Sequence, residues 1–188
     1  MDAEPCECDF DPRLPSHDSG LIATFLYNRR QNANADRVQY SMIKRKRKAF
    51  GLFLRQAGDG KYELLTLTFA DADGLRFPGG NIDSDESPEE GLFREIEEEI
   101  GWRQPSILRK LGEHRYYKRY SRAHVERHDY LMIPPMETPR MWRYRVTGGG
   151  GDAGSIFTYR WIRAHEVAQI SSELRTFVTP QHIPELFR

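Results

Sequence analysis

Three glutamates that fall close together, Glu95, Glu98 and Glu99, are the residues of this chain best placed for chemistry. Ser87 can cap a helix, Pro88 suits its first position, Glu90 completes a capping box and Gly101 supplies the stop, so the spacing predicts a helix over Pro88–Ile100. At about 100° per residue, Leu92, Ile96, Ile100 and Phe93 form one apolar stripe, while Glu95, Glu98 and Glu99 share an arc of about 100° on a different face. Like charges three and four apart oppose a helix by a few tenths of a kcal/mol per pair. A hard divalent cation removes that repulsion. Mg²⁺ takes oxygen ligands, keeps several waters and shares its other positions with substrate phosphates. A solvated acidic face is the alternative, because Glu89, Glu90 and Glu97 place acids elsewhere on the same helix. Helix geometry alone leaves both readings open.

The surrounding elements must hold this helix. Leu21, Ile22, Phe25 and Leu26 lie on one helical face behind a capping Ser19. Val38, Tyr40 and Met42 alternate as a strand, and the segment AFGLFLR reads as another. Between them, Lys44-Arg45-Lys46-Arg47-Lys48 reads as the solvated end of a strand or an exposed edge; a role near a phosphate substrate or nucleic acid is its functional alternative. A turn at Gly58-Asp59-Gly60 precedes a strand, and FADADG is a second turn. The segments SILRKLGEHRYYKRY and HVERHDYLMI read as a hairpin. The VTGGGGDAG segment is a flexible loop, SIFTYRWI a further strand, and the chain from His165 reads as helical, broken by Pro180 and Pro184.

Composition excludes several classes. Of 188 residues, 38% are hydrophobic, which suits one globular domain with extensions. With 28 basic and 28 acidic residues the formal net charge is zero, against a protein that coats nucleic acid. No apolar run approaches the roughly 18 residues of a membrane span, and the acidic start MDAEPCECDFD does not read as a secretory signal. Residues 1–18, with Pro5, Pro12 and Pro15, read as a mobile tail. The two cysteines, Cys6 and Cys8, are badly spaced for a bridge and read as reduced thiols, which points to the cytoplasm.

The spacing around the glutamates is more specific than their helix. Gly80, Glu86, Arg94, Glu95, Glu98, Glu99 and Gly101 match every fixed polar or glycine position of G-x5-E-x7-R-E-U-x-E-E-x-G-U, with U bulky and apolar. Seven such matches arise by chance on the order of 10⁻⁹ times per starting position. Residues 80–102 therefore resemble the Nudix box of the MutT-like hydrolases. The upstream Phe77-Pro78-Gly79 is also common in that family, and Trp102 at the last, usually aliphatic, position implies altered packing rather than lost chemistry. The resemblance implies an α/β/α sandwich with a mixed β-sheet and a loop–helix–loop box, forming a single domain over residues 19–188 with an N-terminal helix extension.

By the same resemblance, Glu95, Glu98 and Glu99 bind Mg²⁺ or Mn²⁺, with more than one ion when substrate is bound, and the Gly79 backbone carbonyl is a further ligand. Glu95, Glu98 and Arg94 form the catalytic set, Glu95 also as a base. Arg94 positions a carboxylate such as Glu86 or Glu95, and Gly80, Glu86 and Gly101 shape the box. Asp152 in the glycine loop is a second candidate base, with Glu126 and Asp129 as rivals that read more simply as surface acids. His124 and His128, four apart on a strand, read as ordinary surface or hydrogen-bonded histidines.

The implied reaction is water attack on a phosphoanhydride of a nucleoside diphosphate linked to another group, nucleoside triphosphates first among them. The motif of the coenzyme A type and the array of the NADH type are absent. The Pro that marks many ADP-ribose enzymes falls near Lys118, where Tyr116, Tyr117 and Tyr120 instead give a weak likeness to diadenosine-polyphosphate hydrolases. A silent nucleotide sensor and an RNA 5′-end hydrolase are the alternatives. The expected partner is a small nucleotide, without membrane or nucleic acid, and a homodimer is compatible with the sequence.

Overall fold

The computed structural model describes residues 44–70, 72–119 and 121–188. The expected tail, the cysteines, the helix behind Ser19, the strand through Val38 and the single residues Asp71 and Tyr120 lie outside the described residues.

Among the described residues, seven strands form the sheet: β1 Lys44–Gln56, β2 Tyr62–Thr68, β3 Gly79–Asn81, β4 Ser106–Lys118, β5 Ala123–Ile133, β6 Met141–Arg145 and β7 Ile156–Ile162. The spatial order is β4-β5-β1-β2-β7-β6, with β3 paired to β1. The β1–β5 pair is parallel and the others are antiparallel, so the sheet is mixed. The β4–β5 hairpin forms as the sequence predicts. The basic run does not lie on an edge. It is the solvated start of β1, which pairs with β5 from Lys44 to Phe53 and with β3 at Lys48, Ala49 and Phe50. Alternation along β1 then divides the core. Ala49 and Phe53 face the helix, whereas Phe50, Leu52 and Leu54 face the other way.

The helix α1 spans Pro88–Ile100, with the capping box of Ser87 and Glu90 formed and Gly101 left-handed at φ 75°. Leu92, Ile96 and Ile100 are buried against Phe53, Leu65, Tyr130 and Trp161. Trp102 joins this layer, edge-on to Phe53 at 4.9 Å, so the departure from an aliphatic residue is absorbed as packing. On the opposite face the expected C-terminal helix is instead three 3-10 turns, Ala164–Gln169, Ser172–Phe177 and Pro184–Phe187. Pro180 and Pro184 interrupt the segment too often for a longer helix, yet Ile170, Leu174, Val178, Ile183 and Leu186 still cover Phe50, Leu52 and Leu54. Strand β6 has no counterpart in the sequence reading. Among the described residues no helix is long and apolar enough to cross a membrane.

Candidate active site

Backbone geometry lets α1 approach the strand before it. Gly79 has φ 122°, and a Cβ there would stand 2.2 Å from the Ala49 carbonyl oxygen, so only glycine fits. A Cβ on Gly80 would stand 2.4 Å from Glu95 Oε2. The Glu95 carboxylate therefore lies directly on β3.

The far end of α1 is tied down through carbonyls that a helix leaves unpaired. Gly101 N donates to Glu97 O at 3.0 Å, Thr147 N and Oγ1 donate to Glu98 O at 2.8 and 3.1 Å, and the Tyr159 hydroxyl donates to Glu99 O at 2.9 Å. The loop between β6 and β7 is thus anchored beside the glutamates. Its Gly148, at φ 91°, makes room for Glu98, whose carboxyl would be 2.5 Å from a Cβ there.

Arg94 organises the acids. Its Nε and Nη2 donate to the two oxygens of Glu86 at 2.7 and 3.0 Å, Nη1 donates to Glu95 Oε1 at 3.0 Å, and Nη2 also reaches the Asn81 carbonyl at 2.8 Å. Glu98 Oε2 lies 3.8 Å from Nη1. A bidentate fork of this kind fixes orientation as well as charge. The Arg94 bonds, with a further one from Asp83 N, hold the Glu86 carboxyl down at about 2. Both partners expected for Arg94 are engaged at once.

The three box glutamates do not share one environment. Glu99 is buried rather than on a solvated arc, and its Oε2 accepts from Gly79 N at 2.8 Å. Burial pushes its carboxyl up to about 8, and the negative charges of Glu95 and Asp152 add to that. Burial also raises Glu95, against the pull of Arg94. Glu95, Glu98, Glu99, Asn81, Arg94 and Asp152 line one cavity of about 390 Å³, closed on one side by Gly149, Gly150 and Gly151. Asp152 is therefore brought to the box glutamates. Thr147, Gly148 and Tyr159 escape the sequence reading because nothing in their local pattern marks a contact 49 to 60 residues away.

The rival acids lie elsewhere. Asp129 is no surface acid. It is buried on β5, 2.8 Å from Arg127, and burial raises its carboxyl to about 6. Glu126 stands with Glu113 and His128 in a group that brings three potential metal donors within 4.8 Å. Two cations already serve that group. Arg115 lies 2.8 Å from Glu113 and 3.2 Å from Glu126, and Lys110 Nζ lies 3.0 Å from His128 Nδ1. His128 Nε2 meets Glu126 at 3.0 Å. We read it as an ion-pair network on the β4–β5 hairpin. His124 is exposed, its ring 5.1 Å from that of Tyr117, and the Tyr116 hydroxyl donates to Glu173 at 3.1 Å.

Comparison with known proteins agrees with this geometry. Residues 45–181 match the NUDIX domain model. An RNA pyrophosphohydrolase of Marinomonas sp. is 49% identical over 45 residues, covering 24% of this chain and 27% of that protein. An 8-oxo-dGTP diphosphatase of Haemophilus influenzae is 60% identical over 30 residues, 16% of this chain and 22% of that one. The chain thus matches about a quarter of the length of these curated relatives. Among solved structures, the dihydroneopterin triphosphate pyrophosphohydrolase of E. coli aligns over 76% of this chain and 98% of its own, at 16% identity and TM-score 0.52. The NUDIX domain of Shewanella oneidensis NrtR, complexed with ADP ribose, aligns over 78% and 88%, at 18% identity and TM-score 0.51. At that identity the likeness concerns the fold, whereas the domain match spans most of the chain and includes the whole cavity. The chain belongs to the Nudix family.

Proposed function

We propose that this protein is a divalent-metal-dependent hydrolase of a phosphoanhydride in a nucleoside diphosphate linked to another group, with nucleoside triphosphates as the leading substrates. The observation that carries this reading is the gathering of Glu95, Glu98, Glu99 and Asp152 around one cavity, with Arg94 fixing two box acids. With Asp83, which also lines the cavity, five carboxylates against one guanidinium form a hard oxygen donor set, which suits Mg²⁺ or Mn²⁺. Glu98, Glu99 and Glu95 would hold the metal, with the Gly79 carbonyl as a further donor. When bound, such ions neutralise phosphate charge and make water a better nucleophile.

The chain's own groups then have separate tasks. Arg94 keeps the Glu95 carboxylate in one orientation. Burial makes Glu95 a stronger base than an exposed carboxylate, suited to taking the proton of the attacking water. The water oxygen bonds to phosphorus, the bridging oxygen leaves with its electron pair, and the water proton passes to the carboxylate. Asp152, on the loop after Gly151, is the alternative proton acceptor. The glycine loop and Thr147 keep the cavity closed on the side of Glu98.

Two other readings have their own support. Lys44, Lys46 and the relative named RNA pyrophosphohydrolase favour an RNA 5′ end. The neighbour complexed with ADP ribose keeps nucleotide binding as a reading in its own right. A panel of dNTPs, 8-oxo-dGTP, ADP-ribose, diadenosine tetraphosphate and 5′-triphosphate RNA, with Mg²⁺ and with Glu98→Gln as control, separates them. Metal-dependent turnover of mononucleotides that is lost in the variant is the expected outcome. Nucleotide binding without any turnover would establish the sensor reading instead.

A further inference from the structure

We propose that the sheet face opposite α1 carries a phosphate-binding subsite next to the catalytic cavity, so that the substrate bears further phosphates on the part remote from the cleaved anhydride. This rests on the hydrolase reading above and adds a substrate class to it: a compact polyphosphorylated small molecule.

Alternation along β1 sorts its basic run. Arg47 points to the helix side, where its Nη1 donates to the Glu86 carbonyl at 3.0 Å. Lys44, Lys46 and Lys48 point to the other side. The parallel register sets them against Ala123, Val125 and Arg127 of β5, and the hairpin register adds Lys118, Tyr116 and His114 of β4. From Lys44 to Lys48 is about 13 Å, and three strands span about 10 Å. Arg76 joins the group, since its charge and those of Lys46 and Lys118 act on the half-buried Lys48. Among the described residues, Glu173 and Asp129 answer these cations. Glu173 is engaged by Lys118 at 2.6 Å and by Tyr116, and Asp129 is buried against Arg127.

Lys44, Lys46 and Lys48 have no carboxylate partner among the described residues, and the Lys48 amine lies over the Phe50 ring at 5.9 Å. Arg127 is fully buried between the Glu173 carbonyl and Asp129, so it adds positive charge beneath the lysines without itself reaching a ligand. Lys44 and Lys46 are exposed and Lys48 is half-buried, and like charges gathered around a half-buried amine are costly unless an anion joins them. Ammonium groups suit phosphate oxygens as compact point charges, whereas an uncharged base would gain little here. The band also touches the cavity. Lys48 pairs with Asn81, which lines it, and the Lys48 charge acts on Glu95 and Glu99. A patch about 13 Å by 10 Å holds a few phosphates rather than a length of polymer.

The test compares kcat/KM for GTP and for GTP carrying a second diphosphate on its 3′ oxygen, in wild type, Lys46→Ala and Lys48→Met, with melting curves to confirm folding. Preference for the 3′-diphosphorylated form by about tenfold or more is expected, and each variant should erode it through KM. In parallel, inorganic tripolyphosphate is titrated into protein held in EDTA, where the catalytic acids repel anions. Wild type should bind it and the variants should bind at least about tenfold more weakly. Equal turnover of the two nucleotides, preference untouched by the variants, absent tripolyphosphate binding, or a stronger preference for 5′-triphosphate RNA that grows with its length would each overturn the subsite. Tripolyphosphate binding without turnover of any substrate would instead remove the hydrolase reading and leave the subsite standing.

Discussion

Arg94 gives its guanidinium to Glu86 through two bonds and to Glu95 through a third, so a lysine in its place keeps the charge but not the fork. Arg94→Lys should lower kcat/KM by about 10–100-fold with metal saturating, the usual cost of losing a residue that orients a ligand. Steady-state kinetics against wild type check it. Two carboxyls set the pH response in opposite senses. Glu86 is held down at about 2, so its contribution to stability is complete above its ordinary 4.5 and is lost as pH falls toward 2. Glu99 is raised to about 8, so the folded metal-free protein carries an extra proton between 4.5 and 8 and loses stability as pH rises through that window. Metal must displace that proton, so the gain in Tm on adding Mg²⁺ should be larger at pH about 8 than at pH about 6. Melting curves at both values check this. The spacing made the box residues legible, because a motif fixes types and intervals. It could not show that Glu99 is buried while Glu98 is not, since that depends on β7 and the glycine loop.

The element scale separates stability from chemistry at two adjacent glycines. Gly79→Ala drives a Cβ into the Ala49 backbone at a left-handed φ, which should cost at least about 3 kcal/mol and show as a large fall in Tm. Gly80→Ala meets only the movable end of Glu95, so Tm should fall far less while activity drops. Equal stability losses in the two variants would refute this division. Trp102→Ala should cost about 3–5 kcal/mol of packing and leave KM near its wild-type value at temperatures where the variant is folded. The bounds of α1 were readable because caps act locally. Strand β6 escaped notice although Trp142 and Tyr144 alternate with exposed Met141, Arg143 and Arg145. Five residues carry a weak period, and the strand gains its inner face through Trp142, against Trp102 and Tyr159, and Tyr144, packed on the same core. The 3-10 turns after β7 have the apolar residues of a helix without an uninterrupted run to form one.

At the scale of the whole molecule, zero net charge hides a division between an acidic cavity on the helix side of β3 and a cationic band on the other face of β1. A sum over the sequence cannot show this, because it depends on which strands pair and in what register. Among the described residues, two acidic clusters compete for a metal. The Glu113, Glu126 and His128 group has the tighter donors but is already met by Arg115 and Lys110. The box glutamates share a cavity with more carboxylates than cations. The most direct test is a calorimetric titration of Mn²⁺ into metal-free protein at pH about 8, with wild type, Glu98→Gln and the double variant Glu113→Gln/Glu126→Gln side by side. Binding that is lost in Glu98→Gln and retained in the double variant is the predicted result. Binding retained in Glu98→Gln and lost in the double variant would contradict the assignment of the metal to the box cavity.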